Sequence, residues 1–175
     1  MDIIWAPWRG NYIKMGLSEK RCIFCYFDSY KIEDIEPNFD NLILYRSTKS
    51  FIIMNKYPYI NGHLMVVPYR HIDDLLLLDA QEKSDIFDMI QFSVEILKEV
   101  YNPHGFNIGI NIGKVAGAGV DKHIHFHVVP RFNADHNFIS TISNSRLINF
   151  SLRETYDDLS NIINKKIKNK KRKRD

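Results

Sequence analysis

The sequence has few cysteines and no long apolar run, and these absences exclude several classes of protein. Cys22 and Cys25 are the only cysteines among 175 residues, which excludes a scaffold built on several disulfides. The longest purely aliphatic run is residues 75–78, far shorter than the roughly 20 apolar residues that span a bilayer. The first residues have neither the basic region nor the apolar stretch of a secretory signal. We therefore expect a soluble, cytoplasmic protein.

Charge is distributed unevenly along the chain. Of the 24 basic and 21 acidic residues, eight basic and one acidic lie in residues 165–175, so residues 1–164 carry a net charge of −4. A block of like charges repels itself and has nothing to bury. We therefore expect one domain over residues 1–164, followed by a disordered, solvated tail. The alternative is an electrostatic arm for nucleic acid or another acidic partner.

Apolar periodicity predicts an α+β domain with a mostly antiparallel sheet. Strand patterns occur at residues 41–46, 50–55, 63–67, 106–110 and 123–129. A long helix is predicted after Asp79, which forms a capping-box pattern with Glu82, and Pro103 should end it. A second helix is predicted to begin near Ser151. Residues 1–40 show little periodicity and are expected to form an irregular segment that carries the C-x-x-C motif.

Three histidines alternate with apolar residues in the segment 123–129. In a strand, residues two apart lie on one face, so His123, His125 and His127 are predicted to share a face. Core packing explains the apolar face but not the imidazoles, because a buried histidine needs polar partners. Two functions fit this pattern. The histidines either bind a metal ion, or one of them is a nucleophile that its neighbours orient.

Two further segments bear on that choice. Residues 113–120 are rich in glycine and alanine, and the backbone N–H groups of such a loop can approach a bound anion closely. A phosphate held there would lie beside the histidines, whereas the alternative is a flexible connection. Cys22 and Cys25 are either half of a metal site or a redox pair.

The residues 117–131 resemble the signature of the histidine-triad (HIT) superfamily, in which three histidines alternate with apolar residues. Residues 61–71 resemble a second segment of that superfamily, Gly-His followed by four apolar residues, Pro and a later His. Residues 5–9 and 22–25 are similar to the start of a bacterial branch that includes diadenosine tetraphosphate phosphorylases. The resemblance implies the HIT-like fold, with an antiparallel sheet, one long helix and a C-terminal helix, in a homodimer.

The resemblance also implies a role for each matching residue. His125 would attack the α-phosphorus of a nucleotide and form a nucleotidyl-histidine intermediate, while a backbone carbonyl fixes its tautomer. His127 would hydrogen-bond the phosphate or the leaving group. The positions that match substrate contacts are Asn55, Asn111, Gly117, Ala118, Gly119 and Phe132. The branch commonly has Ser at the position of Gly119 and Trp at that of Phe132. His63 is expected only to support the ends of the strands.

The resemblance gives the C-x-x-C motif a meaning as well. In related HIT proteins and galactose-1-phosphate uridylyltransferases, two cysteines and two histidines hold a zinc ion. The matching residues are Cys22, Cys25, His71 and His123. Such a closed Cys₂His₂ site has no open position for an activated water. The implied cofactor is therefore a structural zinc that orients the histidine segment.

The predicted function is cleavage of dinucleoside polyphosphates such as diadenosine tetraphosphate at the α-phosphate, with water or phosphate as acceptor. Alternatives within enzymes are a nucleoside phosphoramidase, a hydrolase of another nucleotide conjugate, and a hydrolase with zinc in the triad. From another class, the chain could be a nucleotide- or nucleic-acid-binding module that uses its basic tail.

Overall fold

A five-stranded antiparallel sheet with two long helices on one face forms the body of the chain. The computed structural model describes residues 21–27, 30–133 and 148–172, so the motif at residues 5–9 lies outside the described residues. The strands are β1 (Tyr26–Phe27), β2 (Tyr30–Lys31), β3 (Ile43–Arg46), β4 (Ser50–Met54), β5 (Leu64–Pro68), β6 (Gly105–Ile110) and β7 (Phe126–Arg131). The helices are α1 (Ala80–Tyr101) and α2 (Leu152–Arg172). The predicted α+β class is confirmed.

The topology places β5 at the centre of the sheet. β1 and β2 form a separate two-stranded ribbon, and the other strands lie in the order β3-β4-β5-β7-β6. Both faces of β5 are covered, so all five of its residues are buried. Leu64 and Val66 pack on the side of the helices, whereas Met65 and Val67 belong to a second core on the opposite side. Because His127 pairs with Met65, its side chain projects on the face away from the helices.

Both predicted helix starts are confirmed. The Asp79 side chain accepts the backbone N–H of Glu82, whose own side chain accepts the N–H of Asp79. The helix ends at Tyr101, and Asn102 takes the left-handed conformation immediately before Pro103. At α2, Ser151 and Glu154 form the same reciprocal pair of hydrogen bonds.

The segment between β5 and α1 is fixed to the first turn of α1. The Arg70 guanidinium donates to both carboxylate oxygens of Glu82, at 2.8 Å and 2.7 Å. This ion pair lowers the pKa of Glu82 to about 2, so the carboxylate stays charged at neutral pH. His71 is the next residue along the chain, and its backbone is thereby anchored beside the sheet.

The strand predicted over residues 123–129 begins later than expected. β7 starts at Phe126, and the first two histidines lie in the segment before it. The register places Pro68 of β5 opposite residue 124, and a proline has no N–H for the ladder. The N–H of Ile124 instead donates to the Ile72 carbonyl at 2.8 Å.

The basic tail is a second correction, because α2 passes residue 164 and continues to Arg172. Its apolar face extends into the basic segment, where Ile167 packs on the core that contains the buried Ile163. The ammonium of Lys166 forms ion pairs with Glu95 at 2.8 Å and Glu99 at 2.6 Å, both on α1. These contacts stabilise helix over residues that were expected to be disordered.

In the part of the chain that the structure describes, no helix has the length and apolar character needed to cross a membrane.

Candidate active site and metal centre

His125 lies immediately before β7, and one of its ring nitrogens is hydrogen-bonded while the other keeps a free lone pair. Its ring is buried, and Nδ1 is 2.9 Å from the carbonyl oxygen of His123. A carbonyl can only accept a hydrogen bond, so Nδ1 carries the proton. The Nε2 atom therefore keeps its lone pair. The expected carbonyl partner is thus found, and it belongs to the first histidine of the triad.

His127 takes the opposite tautomer, because a chain of hydrogen bonds sets it. The backbone N–H of Tyr59 donates to His63 Nδ1 at 3.2 Å, and the Asn55 amide nitrogen lies 3.3 Å from the same atom. An Nδ1 atom that accepts leaves the proton on His63 Nε2. That proton is donated to His127 Nδ1 at 2.9 Å. His127 then carries its own proton on Nε2 and can donate to a bound ligand.

Burial keeps these rings neutral. Desolvation, together with the neighbouring imidazoles, lowers the pKa of His63 to about 3 and that of His127 to about 4. Desolvation also lowers the pKa of His125. The rings of His125 and His127 have centroids 4.9 Å apart. The site thus presents one neutral imidazole with a free lone pair beside another with an N–H donor.

The C-x-x-C turn covers His125 from the side away from the helices. Phe24, between the two cysteines, is buried and lies 4.9 Å from the His125 ring and 5.6 Å from the His123 ring, measured between centroids. The turn is closed by hydrogen bonds from the N–H groups of Cys25 and Tyr26 to the Cys22 carbonyl. Phe24 therefore excludes water from one side of the triad.

The four residues predicted as zinc ligands are brought together. One ligand atom from each of Cys22, Cys25, His71 and His123 lies within 4.8 Å of the others. His123 Nδ1 is 3.4 Å from each cysteine sulfur, and His71 Nδ1 is 3.2 Å from that of Cys25. In a tetrahedral zinc site with ordinary bond lengths, sulfur and nitrogen ligands are about 3.5 Å apart. The spacing therefore fits a zinc ion.

The ligand atoms of His123 and of the two cysteines are also arranged to bind a cation. His123 Nε2 donates to the Pro68 carbonyl at 2.9 Å, which leaves a lone pair on Nδ1, the atom that faces the cysteines. Burial and the neighbouring Cys22 raise the pKa of the Cys25 thiol to about 12. Two thiolates so close together need a positive charge to compensate them. A zinc ion would supply that charge, and the donor set of two sulfurs and two imidazoles is one that zinc prefers.

The predicted substrate contacts lie at different distances from the histidines. Asn55 is in the site, where its amide group contacts His63 and accepts the N–H of Tyr57. Asn111 follows Ile110, the residue of β6 that pairs with Phe126, so it lies beside the start of β7.

The glycine-rich loop forms a tight 3₁₀ turn at Lys114–Ala116. The N–H groups of Gly117 and Ala118 donate to carbonyls of Lys114 and Gly113 within the loop. These two amides are therefore already paired in this conformation, and Gly119 is exposed beyond them. Gly117 has φ +90°, a conformation that glycine adopts without strain.

Phe132 is not brought to the histidines. It follows the end of β7, whereas His125 precedes its start. The six residues of β7 span about 20 Å. Within one chain, Phe132 therefore lies at the opposite end of β7 from His125.

His63 is the functional residue whose role the sequence analysis missed. It was expected only to support strand ends, yet it bonds directly to His127. Strand parity was the available signal: His63 precedes β5 with the same parity as Met65, which pairs with His127. The partner on its other side, the Tyr59 N–H, has no signal in the sequence.

Comparison with known proteins gives one family match and three similar proteins of interest. The sequence profile of the HIT domain matches residues 36–134. An AP-4-A phosphorylase from Mycobacterium tuberculosis is 36% identical over 154 residues, which are 87% of this chain and 79% of that protein. A hypothetical histidine triad nucleotide-binding protein from Sulfolobus tokodaii superposes with a TM-score of 0.62 at 28% identity, over 87% of this chain and 95% of that one. A zinc-bound histidine triad family protein from Mycobacterium smegmatis gives 0.56 at 29% identity, over 68% and 81%.

The hydrogen-bond chain predicts the tautomer of His127. Nitrogen NMR of the full chain should find the His127 proton on Nε2. His63→Phe removes the donor and should leave a mixture of tautomers. His63→Gln places an amide N–H near the position of the imidazole Nε2 and should restore the Nε2–H form. A wild-type spectrum with the His127 proton on Nδ1 would contradict the assignment.

Proposed function

Because the chain belongs to the HIT domain family, we propose that it cleaves dinucleoside polyphosphates through attack of His125 on the α-phosphorus. The observation that carries this proposal is the pair of opposite tautomers. His125 offers a lone pair on Nε2, and the adjacent His127 offers a proton on Nε2. A nucleophile and a hydrogen-bond donor side by side are what phosphoryl-centre substitution requires.

In the first step, the lone pair of His125 Nε2 forms a bond to the α-phosphorus, and the bond from phosphorus to the bridging oxygen breaks. The polyphosphate leaves with that electron pair, and the Nε2–H of His127 donates a hydrogen bond to the departing oxygen. The His125 ring becomes positively charged, and its Nδ1–H donates more strongly to the His123 carbonyl. That carbonyl therefore stabilises the intermediate as well as fixing the tautomer.

In the second step, water or inorganic phosphate attacks the nucleotidyl-histidine. The bond between phosphorus and Nε2 breaks, and its electron pair returns to the imidazole. The relative named AP-4-A phosphorylase supports a diadenosine tetraphosphate substrate and phosphate as acceptor. Asn55 would reach the ribose with the second proton of its amide nitrogen and the second lone pair of its oxygen, since the first of each is already used.

We also propose that the two cysteines, His71 and His123 hold a structural zinc ion. Zinc would supply a fixed positive charge that holds two thiolates and two imidazoles together, and its four ligand positions would all be filled by protein. Its contribution to the reaction would be indirect, through the position of the His123 backbone. The reducing cytoplasm, where we place the protein, keeps such thiols available.

We also propose a homodimer formed through β6, the edge strand of the sheet. Its Ile108 is 48% exposed, and Ile112 beyond it is 46% exposed. An edge with free backbone groups and exposed apolar side chains favours pairing with a second copy.

Product analysis tests the reaction. Diadenosine tetraphosphate with phosphate should give ADP and ATP, and AMP with ATP in its absence would identify water as acceptor. His125→Ala should lower turnover by at least about a thousandfold, while the control His104→Ala, at an exposed histidine before β6, should keep it. Full activity of His125→Ala, or no cleavage by the wild type, would refute the proposed function.

Elemental analysis tests the metal. The purified chain should hold about one zinc ion, and Cys25→Ser should lose it and unfold at a lower temperature, since binding stabilises only the folded site. His104→Ala should retain both the metal and the melting temperature. If wild-type protein purified with added zinc contained none, the metal proposal would be wrong.

Sedimentation equilibrium tests the dimer. Ile108→Lys places a charge on the β6 edge and should yield monomers, whereas Phe87→Lys changes a more exposed apolar residue of α1 and should leave dimers. A monomeric wild type at micromolar concentration contradicts the assembly.

A further inference from the structure

We propose that the C-terminal half of α2 is a docking surface for the phosphate backbone of nucleic acid. This surface is formed by Lys165, Lys168 and Arg172, which we call the basic stripe. At 100° per residue these three lie within about 60° of one another on the helix. They lie opposite Ile163, which is 2% exposed and packs on the core. All three residues of the stripe are exposed.

The stripe differs from the neighbouring lysines, which have partners in the fold. Lys166 is paired with Glu95 and Glu99 on α1, and the ammonium of Lys170 lies 5.7 Å from the ring centre of Phe92. Among the described residues, none of the three members of the stripe forms an ion pair. Lys165 lies near enough to Glu99 to help lower the pKa of that carboxyl, whose ion pair is with Lys166. The helix dipole stabilises one or two cations in the last turn of a helix. It does not explain why eight of the ten residues 165–174 are basic.

These charges cannot serve the phosphates of a substrate at His125. α2 packs against α1 and β3 on the helix side of the sheet. His127 and the Phe24 cover lie on the opposite side, with the sheet between them. The stripe is therefore a separate surface for a polyanion.

The geometry favours nucleic acid over a lipid surface. A helix that lies in a membrane interface needs an apolar face for the bilayer, and here Ile163 and Ile167 are already packed on the body of the protein. Lys165 and Arg172 are seven residues apart, about 10 Å along the helix axis. One strand of a duplex carries a phosphate about every 3.4 Å of axis, so three cations face about three phosphates. Residues 1–164 carry a net negative charge, so nucleic acid should be attracted only to the C-terminal end of α2.

The test measures binding of the full-length chain to a labelled RNA of about 20 nucleotides and to a labelled DNA of about 20 base pairs. Fluorescence anisotropy is recorded at several salt concentrations between about 50 and about 200 mM. We expect micromolar binding at low salt. The triple variant Lys165→Gln, Lys168→Gln, Arg172→Gln should bind about tenfold more weakly, and its salt slope on duplex should fall by about 2.7, or 0.9 for each lost contact. Tighter binding of either nucleic acid would identify the preferred source of phosphate and support the proposal.

The matched control makes the same change of charge elsewhere, with Lys31, Lys83 and Lys122, all exposed, replaced by Gln. It should bind as the wild type does, and circular dichroism should find both triple variants equally helical. The stripe variant should also cleave diadenosine tetraphosphate at the wild-type rate, which separates this inference from the proposed function. No binding at 50 mM salt, equal losses in both triple variants, or tighter binding to phosphatidylserine vesicles than to either nucleic acid would overturn it.

Discussion

The position of His123 is the constraint on which the site depends, because three of its atoms make different and essential contacts. Its Nδ1 faces the two cysteine sulfurs, its Nε2 donates to the Pro68 carbonyl, and its own carbonyl accepts the proton of His125 Nδ1. The ring is completely buried, so these contacts define a single orientation. His123 therefore connects the group of four predicted metal ligands to the ring of His125. The connection is consistent with the late start of β7, because the His123 carbonyl bonds to the His125 ring rather than to a neighbouring strand.

The two remaining histidines of the triad are set by different parts of the fold. His125 depends on a carbonyl of its own segment, two residues away. His127 depends on His63 and the Tyr59 backbone, which come from the loop before the central strand. Burial lowers the pKa values of His63 and His127 far below neutrality, so protonation does not disturb either assignment at physiological pH. Opposite tautomers on adjacent rings therefore follow from two independent sets of hydrogen bonds, both of which are protected from water.

The sheet separates the chemistry of the protein into two sides. On one side lie the triad and the C-x-x-C turn, where buried, neutral histidine rings contact one another. On the other side lie the helices, whose apolar faces form the larger core. The C-terminal helix turns its cations outward on this second side. Since β5 and β7 alternate their side chains between the two sides, a shift of one residue in their register would exchange histidines for core residues, and the buried apolar residues make such a shift unfavourable.

The sequence by itself determined most of the helices and strands, because alternation and helix caps are local patterns. The roles of His125 and of the four ligand residues came from the resemblance to the HIT superfamily. Tertiary structure alone decided the rest. His63 acts on His127 only because β5 and β7 are neighbours in that register. The basic segment becomes helix because Glu95 and Glu99, some 70 residues earlier in the chain, face Lys166. Each of these outcomes depends on contacts between residues distant in the chain, and no local pattern encodes which distant groups will meet.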